Sequence, residues 1–289
     1  MKLALAAIAL LLSLQEAKVE LRWKWQKGQE LVYKTTQKTL LEFGGQPLDQ
    51  QIGYTYSMTV QDVTESGEAT IVMKYLGVVA KGTGPTGDYD YDSEKDKEPP
   101  ADGPAAMQAR MIGLSFTMKT TTQGRVTDVQ GYDKLLEAMT KGTEDNPAVK
   151  AQLKQMFNNE TFKGMMQQMA PPLPEAKVGK GDKWASDFTI KMPMIGAMTF
   201  SMASTLAELK ENNAQVDQDI KVELKGGEKD NPLAGLVEIK DAKGKASGIF
   251  SLEKGCFLSQ KSSMDMTLGV QGQQMPMKTV VELKLVSRK

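Results

Sequence analysis

Tyr54-Thr55-Tyr56-Ser57-Met58-Thr59-Val60 decides the fold. Large apolar side chains at 54, 56, 58 and 60 alternate with Thr, Ser and Thr. Successive side chains of an extended chain point to opposite faces, so this stretch reads as a strand with one apolar and one polar face. The same period runs outward in both directions. Upstream, residues 31–43 are rich in Thr, Tyr and Val, and Gly44-Gly45 turn the chain back. Downstream, Glu65-Ser66-Gly67 lead into Ala69, Ile71, Met73 and Tyr75, which share a face. Strands joined by such short turns pair antiparallel, as a meander. Still further upstream, Val19, Leu21, Trp23 and Trp25 alternate with Glu20, Arg22 and Lys24, which predicts a half-buried strand ending at Lys27-Gly28.

Residues 81–105 interrupt the pattern. Gly82, Gly84, Pro85, Gly87, Pro99, Pro100, Gly103 and Pro104 predict a long polar loop, with a short edge strand at Tyr89 and Tyr91. Leu114, Phe116 and Met118 resume the strands, Gln123-Gly124 turn, and Val126 to Val129 returns. Helices are expected only between Asp133 and Met169. Asp133 caps a turn with Leu135, Leu136 and Met139; Asn146-Pro147 is an N-cap and N1 pair; Asn159 caps a third helix with Phe162, Met165, Met166 and Met169. Pro171, Pro172 and Pro174 end the helical zone. Trp184 to Met194, Phe200 to Leu206, Ile220 to Leu224, the shorter runs Val237–Ile239 and Ile249–Leu252, Met264 to Val270 and Thr279 to Val286 read as strands.

The two halves look alike. Lys27-Gly28-Gln29-Glu30-Leu31 parallels Lys180-Gly181-Asp182-Lys183-Trp184, Thr55-Tyr56-Ser57-Met58 parallels Thr199-Phe200-Ser201-Met202, and the turn at Gly124 has a counterpart at Gly255. The expected architecture is mainly β (α+β). Antiparallel sheet, in one piece or two, is built from two similar meanders with a short helical insertion between them. The divisions are residues 1–17 as signal peptide, 18–130 as the first β half, 131–175 as the helical connector and 176–289 as the second β half.

Lys2 ahead of the apolar residues 3–14 reads as the n- and h-regions of a signal peptide, with the mature chain starting between Glu16 and Lys18. An uncleaved anchor or a buried first strand is the lesser alternative. A run of about a dozen residues falls short of the ~20 a spanning helix needs, and no later stretch is long enough. No cysteine follows the run, which excludes lipid attachment there. Export without a disulfide fits a periplasm or the bacterial exterior.

Composition removes whole classes of chemistry. Histidine is absent from the 289 residues, so His-based triads, His-ligated zinc or haem and His pH switches are all excluded. The one cysteine, Cys256, cannot form an intrachain disulfide or a cysteine-rich metal centre, and it lacks the usual base to act as a nucleophile. Lys+Arg and Asp+Glu both number 36, which argues against nucleic acid as a partner. Asp88, Asp90 and Asp92 begin like a calcium loop, but Ser93 replaces the required glycine and Pro99 the bidentate glutamate, so a solvated charged loop is the stronger reading. No catalytic residue, cofactor or metal ligand is assigned. The 19 methionines carry more information. Met165, Met166, Met169, Met192, Met194, Met198 and Met202 crowd one region, where flexible, polarisable side chains form either core or a deformable apolar groove.

Leu21-Arg22-Trp23-Lys24-Trp25-Gln26-Lys27-Gly28, Gly124-Arg125-Val126-Thr127-Asp128-Val129-Gln130-Gly131 and Val178-Gly179-Lys180-Gly181-Asp182-Lys183-Trp184 resemble motifs of exported bacterial proteins grouped only as a family of unknown function. The resemblance implies secretion and a mostly β fold, and brings no catalytic residues. The expected role is that of an exported non-enzymatic protein binding an apolar ligand, lipid or peptide, in the Met-rich cleft. The alternative is an envelope structural or protein-interaction module with no small ligand. A carboxylate-based hydrolase is a distant third.

Overall fold

The computed structural model describes residues 18–43, 46–83, 87–140, 158–169, 171–192, 196–226, 237–270 and 272–289. The chain is mainly β, as its alternation dictates. Six strands precede the helical zone: β1 (Glu30–Phe43), β2 (Gln46–Val63), β3 (Ala69–Gly82), β4 (Tyr89–Asp92), β5 (Ser115–Thr120) and β6 (Val126–Gln130). Six follow it: β7 (Lys183–Met192), β8 (Gly196–Lys210), β9 (Asn213–Gly226), β10 (Val237–Ser251), β11 (Cys256–Val270) and β12 (Gln273–Arg288). The described helices are short: α1 (Gly103–Ala109), α2 (Asp133–Thr140) and α3 (Asn159–Met169).

All the strands lie in one 12-stranded sheet, ordered β6-β5-β3-β2-β1-β12-β11-β10-β9-β8-β7, with β4 paired to β3 off this path. Neighbours are sequential hairpins except at two places: β3 pairs antiparallel with β5, past β4, and at the centre β1 pairs antiparallel with β12 and joins the two wings. The period-two pattern sets the faces. Tyr75, Tyr56, Tyr33 and Leu285 stand in one cross-strand row on the inner face. The outer face is charged, with Lys34 opposite Lys284 and an ion pair of 2.7 Å between Lys261 and Glu282. Inner-facing Leu31, Tyr33, Tyr56, Ile71, Met73, Leu206 and Phe250 are buried in the main core. Each such side chain contributes about 1.5–3 kcal/mol through burial.

The outermost strands β6 and β7 meet the same helix. On the β6 side, Asn159 Nδ2 donates to the Val129 carbonyl (2.6 Å), Val126 N donates to Gln167 Oε1 (2.9 Å), and Gln167 Nε2 donates to the Gly124 carbonyl (3.0 Å). On the β7 side, Thr161 Oγ1 donates to the Lys191 carbonyl at 2.6 Å. Gly164 lets the helix lie close there: a Cβ would stand 3.2 Å from Ile190 Cα and from the Thr189 carbonyl oxygen. The sheet thus curls until its two edges share α3, which fills the seam.

Four expectations need correction. Val19 to Trp25 is extended, with Leu21, Trp23 and Trp25 buried as the alternation requires, but it forms no sheet ladder beyond a bridge from Val19 to Val178. It crosses the ends of strands instead of lying along an edge, bonding Trp23 N to the Thr122 carbonyl (2.8 Å) and Lys24 N to the Gly255 carbonyl (3.0 Å). Helix also occurs before residue 133: the breakers Gly103 and Pro104 open α1, because proline in a first helical turn loses no bond. Val237–Ile239 and Ile249–Ser251 are parts of one strand, β10, continued through a polar middle that carries a register shift between Lys240 and Lys243, and Leu252 already belongs to the turn that follows. Finally, Asn158 and not Asn159 caps α3, its Oδ1 accepting from Thr161 N at 2.9 Å. The helix expected at Asn146-Pro147 lies outside the described residues.

Candidate functional site

The extended N-terminal segment organises the best-formed apolar site. Its partners are two turns, one in each wing, and both are closed by a glycine. Gly124 at φ +81° and Gly255 at φ +61° occupy the left-handed region that glycine alone adopts freely. They also admit the segment: a Cβ on Gly124 would be 2.7 Å from Trp23 Nε1, and one on Gly255 would be 2.5 Å from the Lys24 backbone nitrogen. Arg22 ties the segment on its other side, its guanidinium donating to the Pro174 carbonyl (2.5 Å) and to the Glu175 carbonyl.

Residues two apart on an extended chain share a face, so Trp23 and Trp25 stack in parallel, with ring centroids 4.8 Å apart and planes at 6°. Trp23 also meets the edges of Phe250 and Phe257, at 6.1 and 6.0 Å. Beside the stack lies a cavity of about 40 Å³ walled by Trp23, Trp25, Tyr33, Tyr56, Met58, Met73, Met118, Thr120, Gly124, Val126, Met166, Met169 and Leu283. That volume holds about three water molecules or a short stub of hydrocarbon. The wall contains no carboxylate, ammonium or guanidinium group.

Its polar groups are few. Tyr33 donates its hydroxyl to the Phe257 carbonyl at 2.9 Å. Burial, with the Cys256 thiol beside it, holds the Tyr33 hydroxyl well above its usual range, and burial does the same to Tyr56. Both therefore stay protonated at neutral pH and supply no base. The indole Nε1 atoms of Trp23 and Trp25 are buried with no hydrogen-bond partner. A buried donor left unpaired costs about 1–3 kcal/mol, so two of them in one wall stand out.

The seven methionines of the expected groove divide. Met166 and Met169 line the cavity, facing the first wing. Met165 packs against both the main core and the cluster of Ile190, Phe200 and Val222 in the second wing, and Met198 joins that second cluster. Met202 is buried on β8, opposite Ser186 of β7. Met194 lies outside the described residues, as does the side chain of Met192, whose backbone ends β7. The wall of Met58, Met73, Met118 and the tryptophan pair was not read as a site in the sequence. One signal was available: two of the three tryptophans stand two residues apart on the buried parity.

Elsewhere, the acidic segment is tied to lysines, Asp90 to Lys81 at 3.0 Å and Asp92 to Lys95 at 2.9 Å. Among the described residues no three His, Cys, Asp or Glu side chains are grouped to hold a metal. Cys256 is buried, and burial pushes its thiol up. A shallower depression of about 310 Å³ on β1, β10, β11 and β12 mixes Glu42, Asp241 and Asp265 with Lys243 and Lys278, so neither sign of charge prevails.

A protein-family model matches residues 66–255, well over half of the chain. The chain belongs to DUF6263, a family of unknown function. No curated protein matches it. Among solved structures, one described by its lipid–protein interactions in lipovitellin covers 92% of this DUF6263 chain at 10% identity, with a TM-score of 0.51. The likeness is one of fold, and this chain spans only 26% of that one. The β domain of the Bordetella autotransporter BrkA (7% identity, 88% of this chain and 97% of that one) reaches a TM-score of 0.29. Pseudomonas aeruginosa OccK5 (OpdH), at 7% identity and with 89% and 97% covered, reaches 0.23. Among the described residues no helix is long and apolar enough to cross a membrane.

Proposed function

We propose that this DUF6263 protein is an exported, non-enzymatic carrier that takes an apolar ligand, a lipid or an apolar peptide, into the methionine-walled interior of its curled sheet. The carrying observation is the uncharged cavity wall of five methionines and two stacked tryptophans. Methionine has three freely rotating bonds and no branch, so a wall made of it can open around a chain that the resting cavity does not hold. The fold resembles 26% of a lipovitellin chain whose structure was described for its lipid–protein interactions, and this supports the reading. Export rests on Lys2 and the apolar residues 3–14, and predicts a mature protein about fifteen residues shorter, found outside the cytoplasm.

The second reading, an envelope interaction module without a small ligand, is favoured by one observation: the cavity is closed down to about 40 Å³. One experiment separates the two. Protein purified without detergent is extracted with organic solvent and its native mass is measured. A co-purifying lipid, together with binding of a neutral apolar dye by the stripped protein, supports the carrier. A clean protein that binds no dye overturns it and leaves the interaction module.

A further inference from the structure

We infer that the ligand carries a neutral hydrogen-bond acceptor, such as an ester or amide carbonyl, next to its hydrocarbon, and that the indole N–H groups of Trp23 and Trp25 receive it. The inference rests on the carrier reading and narrows its ligand class. Three observations carry it. Both indole nitrogens lack a partner, although the side chains are only 5% and 9% exposed. Both rings form the wall of the cavity, and their parallel stacking puts the two donors on neighbouring planes. The same wall has no cation, so a carboxylate or phosphate entering it would shed water with no charge to compensate it. A pure hydrocarbon leaves the donors as they are. A neutral carbonyl satisfies a donor and loses little hydration, and it is the acceptor this wall selects. Room for it comes from the side chains that move most easily, Met118, Met166 and Met169.

The test uses the full chain and displacement of a neutral apolar dye, N-phenyl-naphthylamine. Three probes of matched length compete: methyl tetradecanoate, the corresponding alkane and the tetradecanoate anion. The ester is expected to bind about tenfold tighter than the alkane, the worth of one net hydrogen bond, and tighter than the anion. In the Trp23→Phe/Trp25→Phe variant aromatic rings remain and the donors go, so the ester's advantage over the alkane should disappear, whatever the change in the affinity of either. The ester-to-alkane ratio is internal to each protein, which removes small losses of stability from the comparison. If the double variant does not fold, Trp25→Phe alone, at the more exposed ring, should still reduce the ratio. Equal binding of ester and alkane to the unmodified protein means that water already satisfies the donors; it overturns this inference and leaves the carrier standing. An ester preference that survives the substitutions also overturns it, as does an anion that binds as tightly as the ester. Failure of dye and all three probes overturns the carrier reading, and the inference falls with it.

Discussion

At the residue scale, Gly255 separates backbone strain from collision. Its φ of +61° resembles the +74° of Gly131, but a Cβ on Gly131 would meet nothing within 4 Å, whereas one on Gly255 would press on Lys24. Gly131→Ala should therefore cost about 1 kcal/mol for conformation alone. Gly255→Ala should lose a further ~1–3 kcal/mol, the usual cost of overpacking, and should loosen the segment that holds Trp23. Urea unfolding of both variants measures the difference, and equal losses would show that Lys24 simply gives way. The burial of Leu21, Trp23 and Trp25 was legible because parity alone sets it. Their bonding was not, because Thr122 and Gly255 are remote in sequence and no local pattern announces them.

At the scale of elements, α3 is held to the sheet by side chains bonding to strand backbone. Gln167 spans two bonds to the β6 edge, at 2.9 and 3.0 Å. Gln167→Leu removes both and leaves the Val126 N–H and the Gly124 carbonyl unpaired, which should cost about 1–3 kcal/mol. Hydrogen exchange at the Val126 amide should quicken more than exchange in β9 or β10. A uniform increase would mean that α3 contributes bulk and not edge closure. The presence of this helix was readable from Phe162, Met165, Met166 and Met169 at helical spacing, and its proline end from Pro171 onward. Its position across both sheet edges was not, since helical periodicity says which face is apolar and nothing about what that face meets. The methionine groove shows the same limit: the helix turns Met166 and Met169 to the cavity, while Met165 reaches both the main core and the second-wing cluster. Strand β10 was divided in the reading because its inner face carries Ala242, Gly244, Ala246 and Gly248, small residues that give little hydrophobic signal.

The whole molecule couples its stability to alkaline pH through the tyrosines of the first wing. Burial raises Tyr75 to about 12, pushes Tyr54 and Tyr56 higher still, and holds Tyr33 well above the ordinary value near 10. The unfolded chain therefore loses these protons first, so the stability they give is complete below about pH 10 and is lost as pH rises through the folded values. The unfolding free energy should fall from pH 10 upward, by as much as ~1.4 kcal/mol per pH unit for each tyrosine that titrates only on unfolding, and the urea midpoint should fall with it. A midpoint unchanged to pH 11.5 would contradict the burial of that row. With no histidine, the chain lacks the side chain whose ordinary titration falls between pH 5 and 8. The alternating pattern, the hairpins and the antiparallel order were all legible. The join of β1 to β12 was not, because it pairs residues as distant as Leu31 and Arg288. That join has a kinetic consequence. While the chain is being made, β1 has β2 on one side and an open row of amides and carbonyls on the other until β12 emerges. A loop of that length closes slowly, and an unpaired edge is a template for mispairing with another copy. Refolding should be slow and concentration-sensitive, with a refolded yield that rises on dilution, although the Glu30 and Lys289 backbones exchange bonds of 3.0 and 2.9 Å once the join has closed; a yield independent of protein concentration would contradict the open edge.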